Sequence, residues 1–305
     1  MSEELGLLEA LVGAALVAGA VVVLWAPRLA AAVAFLVFGI VLAGTWAVMG
    51  APDLAVAEAA LGAGVTGALF IEAVSRDGAD TTEQQVPVRR WPPFVAGALL
   101  TAAVVPALVA VAATGTAGLT DAVERAVPET GVEHPVTAVL LAFRAYDTLL
   151  EIAVLFVAVV LVGALRPPGR PRVARPVVLV PFVRRLMPVL VVVAGWLLFA
   201  GSSLPGGAFQ AGAVLGAALV LARLVGLVPA SGPVLGVGGT VGLLAFLALA
   251  AAGLALGGWL VLPTGAAGWL IVALETVLAV SIGVSLALFV EAVGEAHPAR
   301  AEVSR

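Results

Sequence analysis

The sequence predicts an all-α, polytopic membrane protein of about nine transmembrane helices, and three observations carry that expectation. Of 305 residues, 62% are hydrophobic and only 11% are charged, too little charge to cover the surface of a water-soluble domain of this length. Apolar runs near the length that crosses a hydrocarbon core, about 20 residues, recur along the whole chain. Arginines and acidic residues also segregate into different connectors, as positive-inside sorting requires.

The first run, Leu7–Leu24, stays in the membrane. Met1 to Glu4 is acidic where a signal peptide would be basic, and no small-residue cleavage site follows. The next expected spans are Leu29–Val48, Leu54–Val74, Phe94–Ala113 and Thr148–Leu165, and then Val183–Gly201, Phe209–Val228, Val237–Leu260 and Ala267–Val290. Asp121, Glu124, Glu129 and Glu133 fill one connector, and Arg166, Arg170, Arg172, Arg175, Arg184 and Arg185 fill the next. The acidic connector is therefore expected outside and the arginine-rich one in the cytoplasm. Arg28, the Arg76–Arg90 segment, Arg223 and the C-terminal tail then fall on the cytoplasmic side, with the N-terminus outside. This places the chain in the inner cell membrane as a multi-pass protein.

Five prolines between Arg166 and Pro181 forbid a continuous helix there. Residues 166–181 are read as a linker between a five-helix module, 1–165, and a four-helix module, 182–305. The chain has no cysteine, no lysine and two histidines, which excludes thiolate and histidine-cluster metal sites. No cofactor and no metal are expected. The formal charge of −4 and the clustered arginines speak for topology and against nucleic-acid binding.

Ionisable residues within the spans need a reason, because each costs about 2.5 to 3.5 kcal/mol at mid-membrane. In "APDLAVAEAALGAGVTGALF", Asp53 follows Pro52 at a helix start and reads as a first-turn residue complementing the helix dipole. Glu58 lies deeper. Gly62 and Thr66 follow it on one face, and Gly62, Gly64 and Gly67 weaken the helix as a bend or π-bulge would. A packing seam and an ion or proton site are both consistent with that pattern.

Arg144, Asp147 and Glu151 in "FRAYDTLLEIAVL" are spaced to share one face of a continuous helix. One carboxylate can pair with Arg144 while the other holds a proton or a cation, or the triad is a structural ion pair. His134, before Pro135, reads as a loop residue or helix start. Pro205, Gly206 and Gly207 form a tight turn before Phe209 and Gln210. Glu275 lies near mid-depth of the last span, close to Thr276 and Ser281, and reads as an isolated functional carboxylate.

These stretches resemble one family. "APDLAVAEAALGAGVTGALF" and "FRAYDTLLEIAVL" are similar to successive signatures in the C-terminal part of the A subunit of Mrp-type multisubunit Na+/H+ antiporters. The first of these segments also occurs as a small separate subunit of membrane-bound hydrogenases. "LPGGAFQAGAVLGAAL" resembles the signature of the MrpB subunit. Ala145, Leu150, Ala208 and Ala211 depart from glycines of those signatures.

The resemblance implies a fusion of the MrpA tail, MbhD/MbhE-like, with an MrpB, or MnhB-like, part. It implies ion or proton path roles for Asp53, Glu58, Arg144, Asp147 and Glu151, and more weakly for Glu275. Pro205, Gly206, Gly207, Phe209 and Gln210 would form a structural or assembly motif. The expected partners are the antiporter-like A and D subunits, the small C, E, F and G subunits, Na+, H+ and the lipid bilayer. The chain is thus expected to be a transporter subunit and not an enzyme. Two rival readings are a structural coupling subunit of a related hydrogenase or complex I-like assembly, and a free-standing transporter.

Overall fold

The computed structural model describes residue 13, residues 17–25, 28–66, 118–165, 179–228, 233–263 and 265–295, and isolated positions from 95 to 110. Much of the expected spans Leu7–Leu24 and Phe94–Ala113, the end of Leu54–Val74 and most of the 166–181 linker lie outside the described residues.

Among the described residues the fold is entirely helical. Its elements are α1 (Arg28–Val48), α2 (Pro52–Ala57), a π-helix π1 (Glu58–Thr66), α3 (Thr120–Ala126), α4 (Pro135–Ala138) and a second π-helix π2 (Val139–Phe143). They continue with α5 (Ala145–Leu165), α6 (Leu179–Ala200), α7 (Ala208–Leu224), α8 (Pro233–Gly253) and α9 (Ala267–Glu295). Four described segments are long and apolar enough to cross a membrane: Ala30–Val48, Val180–Ala200, Val237–Leu256 and Ala267–Val290.

α6 starts at Leu179, inside the stretch read as linker, because Pro181 falls in its first turn, where a missing N–H costs nothing. α7 ends sooner than the apolar pattern suggests: the chain turns at Val225–Gly226, where Gly226 has φ 74°.

α9 is the centre of the second half. α7 packs against it in parallel: Gly207 lies at Glu275, Gly212 at Ile282, and Gly216 at Gly283 and Leu286. α8 packs antiparallel to it, with Gly238 at Val284, Gly239 at Ser285 and Gly242 at Ser281. Ser281 Oγ donates to the Gly239 carbonyl at 3.0 Å. Glycines on both seams let backbones approach, which matters in a bilayer because apolar surface gains nothing by leaving lipid. Association there rests on close van der Waals packing.

Leu141, Leu149 and Ile152 share one buried core with Leu197, Phe246, Ile271, Leu278 and Ile282. The stretches before and after the proline-rich segment are therefore packed together.

A knot of backbone contacts ties one end of the bundle. The N–H groups of Glu133 and His134 both donate to the Ser202 carbonyl, at 2.9 and 3.0 Å, and the Thr137 hydroxyl donates to the Gly201 carbonyl. Gly131, with φ 79°, lies directly against the backbone of Gly268.

Candidate ion-path sites

π1 begins at Glu58, and its residues explain why. A π turn carries one residue more than an α turn, and glycines reduce the cost of the distortion. The Glu58 carboxyl folds over Gly62, occupying the space where a Cβ would stand. Thr66 Oγ1 donates five residues back to the Leu61 carbonyl at 3.0 Å. The bulge expected from the glycine pattern is present.

The continuous helix expected through Arg144, Asp147 and Glu151 is not. π2 ends at Arg144, whose backbone leaves the helical region (φ −127°, ψ 37°). The chain restarts as α5, with the Asp147 N–H bonded to the Arg144 carbonyl at 2.8 Å. Thr148 Oγ1 satisfies the Leu140 carbonyl across the break at 2.7 Å. The cause is the extra residue in the π turn, which leaves orphan carbonyls for a side chain to cap.

Asp147 and Glu151 still share a face of α5, one turn apart. Arg144 reaches Asp147 from the preceding turn, with Nη2 to Oδ2 at 2.5 Å. Asp147 in the first turn also complements the helix dipole.

These two carboxylates line an open groove of about 800 Å³ between π1, α5 and α9. Leu61, Val65 and Thr66 form one wall, and Leu286 and Phe289 another. Glu58 is not a lining residue; it lies along π1 from Leu61. The side chains of Arg144 and Asp147 are 69% and 41% exposed, and Glu151 is exposed too.

Asp53 does occupy the first turn of α2, with Pro52 at its start. Its carboxylate is nevertheless engaged elsewhere. His134 Nε2 lies 3.0 Å from Oδ1 and 2.9 Å from Oδ2 of Asp53. His134 does precede a helix start, since α4 begins at Pro135, but its side chain caps nothing. No local pattern reveals this pair, whose members stand 81 residues apart.

Glu275 is not isolated. It is 4% exposed, and its carboxyl meets the start of α7, where the Ala208 N–H donates to it. Gly207, with φ 110°, presents its Cα to Glu275 Oε1, and Gln210 is 9% exposed beside it. Among the described residues Glu275 Oε2 has no hydrogen-bond partner, a condition that costs about 1 to 3 kcal/mol for a neutral group and more for a charged one. Gly206 lies against the Leu197 carbonyl, to which Gly207 donates at 2.8 Å. The turn motif is thus a fixed part of this chain's own packing.

Residues 13–77 match the MbhD family, the D subunit of MBH. Residues 178–294 match a domain related to the MnhB subunit of Na+/H+ antiporter. No curated protein matches the chain. Among solved structures, the chain is similar to the Mrp complex from Dietzia sp. DQ12-45-1b, with TM-score 0.74 and 20% identity over 95% of this chain and 35% of that one. The chain therefore spans about a third of that relative. It is also similar to a chain of the membrane-bound sulfane sulfur reductase, an archaeal respiratory membrane complex, with TM-score 0.54 and 23% identity over 66% of this chain and 97% of that one. Both likenesses are of fold.

Proposed function

From a chain that joins an MbhD-like part and an MnhB-like part in one Mrp-type antiporter subunit, we propose a membrane subunit that contributes carboxylates to a monovalent cation or proton path. One observation carries this reading. Asp147 and Glu151 stand on an exposed face of α5, whose remaining residues are almost all apolar, and Arg144 reaches Asp147 from the break before it. Charges on such a face cannot remain against hydrocarbon without a cost of several kcal/mol, so a neighbouring subunit or a water-lined passage covers them. The groove beside them, with Thr66 on its opposite wall, is where the path runs in this reading, and Glu58 lies next along π1.

The finer assignments belong to the same proposal. About nine spans place the N-terminus outside and the C-terminus in the cytoplasm of the inner membrane. Residues 1–165 and 182–305 correspond to the two fused parts, with 166–181 between them. The A and D subunits and the small C, E, F and G subunits are the partners, and Na+ and H+ are the exchanged ions. Arg144 holds Asp147, which leaves Glu151 as the carboxylate free to exchange.

The test is Glu151→Gln in the assembled complex, which keeps size and hydrogen bonding but removes titration. Antiport measured in everted vesicles should be lost while the complex is recovered intact. Undiminished Na+-dependent proton flux in an assembled Glu151→Gln complex contradicts the proposal.

A second reading has its own support. The likeness to a chain of a respiratory membrane complex, 97% of which is covered, fits a subunit that couples a redox arm to membrane partners. In that case Glu151→Gln would uncouple the complex without stopping its redox turnover.

A further inference from the structure

We propose that the turn preceding α7 is a proton site, in which Glu275 carries one proton as a neutral carboxylic acid. The site is separate from the groove that holds Asp147 and Glu151: among the described residues it is built by α7, α9 and the 201–207 turn.

Glu275 meets the start of α7 in the buried interior of the bundle. Glu275 stands eight residues into α9, and at 1.5 Å per residue this puts it about 12 Å from the helix start. The α7 N-terminus beside it is therefore recessed into the bundle. Gly207 and Ala208 are buried there, as is Gln210. A Cβ on Gly207 would stand 2.9 Å from Glu275 Oε1 and 3.8 Å from Gln210 Oε1, so the two side chains meet over Gly207. A dehydrated monovalent or divalent cation needs several oxygen ligands, and hard cations of this kind take six or more. Glu275 belongs to no group of three or more acidic or imidazole residues among the described ones.

The start of α7 presents N–H groups and the positive end of the helix dipole, which favour an ionised carboxylate, and burial of the second oxygen works against them. One carboxyl oxygen uses that end by accepting from Ala208. The other, Oε2, is buried with no partner among the described residues. An ionised carboxylate would leave that oxygen charged and unsolvated, whereas a proton on it removes the charge and supplies a donor. Gln210, the buried amide that shares the Gly207 cradle, offers an acceptor for such a donor. A proton on Oε2 thus answers the one orphaned oxygen at this site among the described residues.

Infrared difference spectroscopy on the assembled complex, in H2O and D2O at neutral pH, reads this occupancy directly. The parent complex should show a protonated carboxyl C=O band that shifts on deuteration, is lost in Glu275→Gln, and is unmoved by added Na+. Persistence of every such band in Glu275→Gln overturns the proposal, and so does a band that disappears on Na+ addition, since a metal cation would then compete for the carboxyl.

If Glu275→Gln fails to assemble, Gln210→Leu decides. It removes the acceptor that shares the Gly207 cradle, so it should raise the frequency of that same band; no shift overturns the proposal. The readout is a bound proton and not a flux, so the result stands whatever Glu151→Gln does to transport.

Discussion

One ring nitrogen of His134 contacts both carboxylate oxygens of Asp53, at 2.9 and 3.0 Å, and both side chains are largely buried. His134 is also held by its backbone N–H to the Ser202 carbonyl. His134 thus joins α2, through its ring, to the turn that leads into α7, through its backbone.

Asp53→Asn and His134→Gln should each lower the thermal stability of the assembled complex. Because they remove two ends of one contact, their effects should not add. The coupling expected for groups in direct contact is about 0.5 to 3 kcal/mol. Melting midpoints of the two single variants and the double variant measure it, and strict additivity would mean that the pair contributes nothing.

Gly62→Ala places a methyl group where the Glu58 carboxyl now lies. The obstructing atoms are the far end of a flexible side chain, so the carboxyl should swing away and the helix should persist. The expected outcome is normal assembly with altered antiport, and Glu58→Gln should alter it in the same direction. Normal transport in both variants would make π1 a packing feature.

Gly206→Leu should fail within the chain before it fails in assembly. The added side chain would run into the Leu197 carbonyl and the backbone at Gly201, so the variant should accumulate poorly in the membrane even when its partners are co-expressed. Of the two roles the sequence leaves open for the motif, structural or assembly, this outcome would favour the structural one. Membrane-inserted yield, compared with and without partner subunits, distinguishes the two.

The absence of native cysteine permits a topology measurement. Cysteine at Thr120 should react with an impermeant thiol reagent added to intact cells, and cysteine at Gly169 should react only after the membrane is permeabilised. The reverse pattern would invert the assignment drawn from the arginine-rich and acidic connectors.

The helices were readable from the sequence because their signals are local. Apolar length marked α1, α6, α8 and α9, and the glycines after Glu58 marked a distorted turn. What escaped depends on contacts between distant residues. Asp53 reads as a first-turn residue and is one, but nothing in its own turn points to His134. Glu275 looks solitary on its helix because its partners, Gly207, Ala208 and Gln210, arrive from another helix start. The break at Arg144 was hidden differently: the apolar run before it carries no glycine or proline, and the side chain that caps the break is an ordinary threonine, Thr148.

The two π-helices, Glu58–Thr66 and Val139–Phe143, lead into the walls of the groove that holds Asp147 and Glu151. A π turn stores one residue of slack. Releasing it into an α turn would advance everything beyond it by about 100° of phase and 1.5 Å of rise. That is enough to turn a carboxylate from one neighbour to the next without unwinding a helix or separating α7 from α9. The glycine seams hold those two helices in close contact, so such a rotation would act on the overwide turns and the charges beside them.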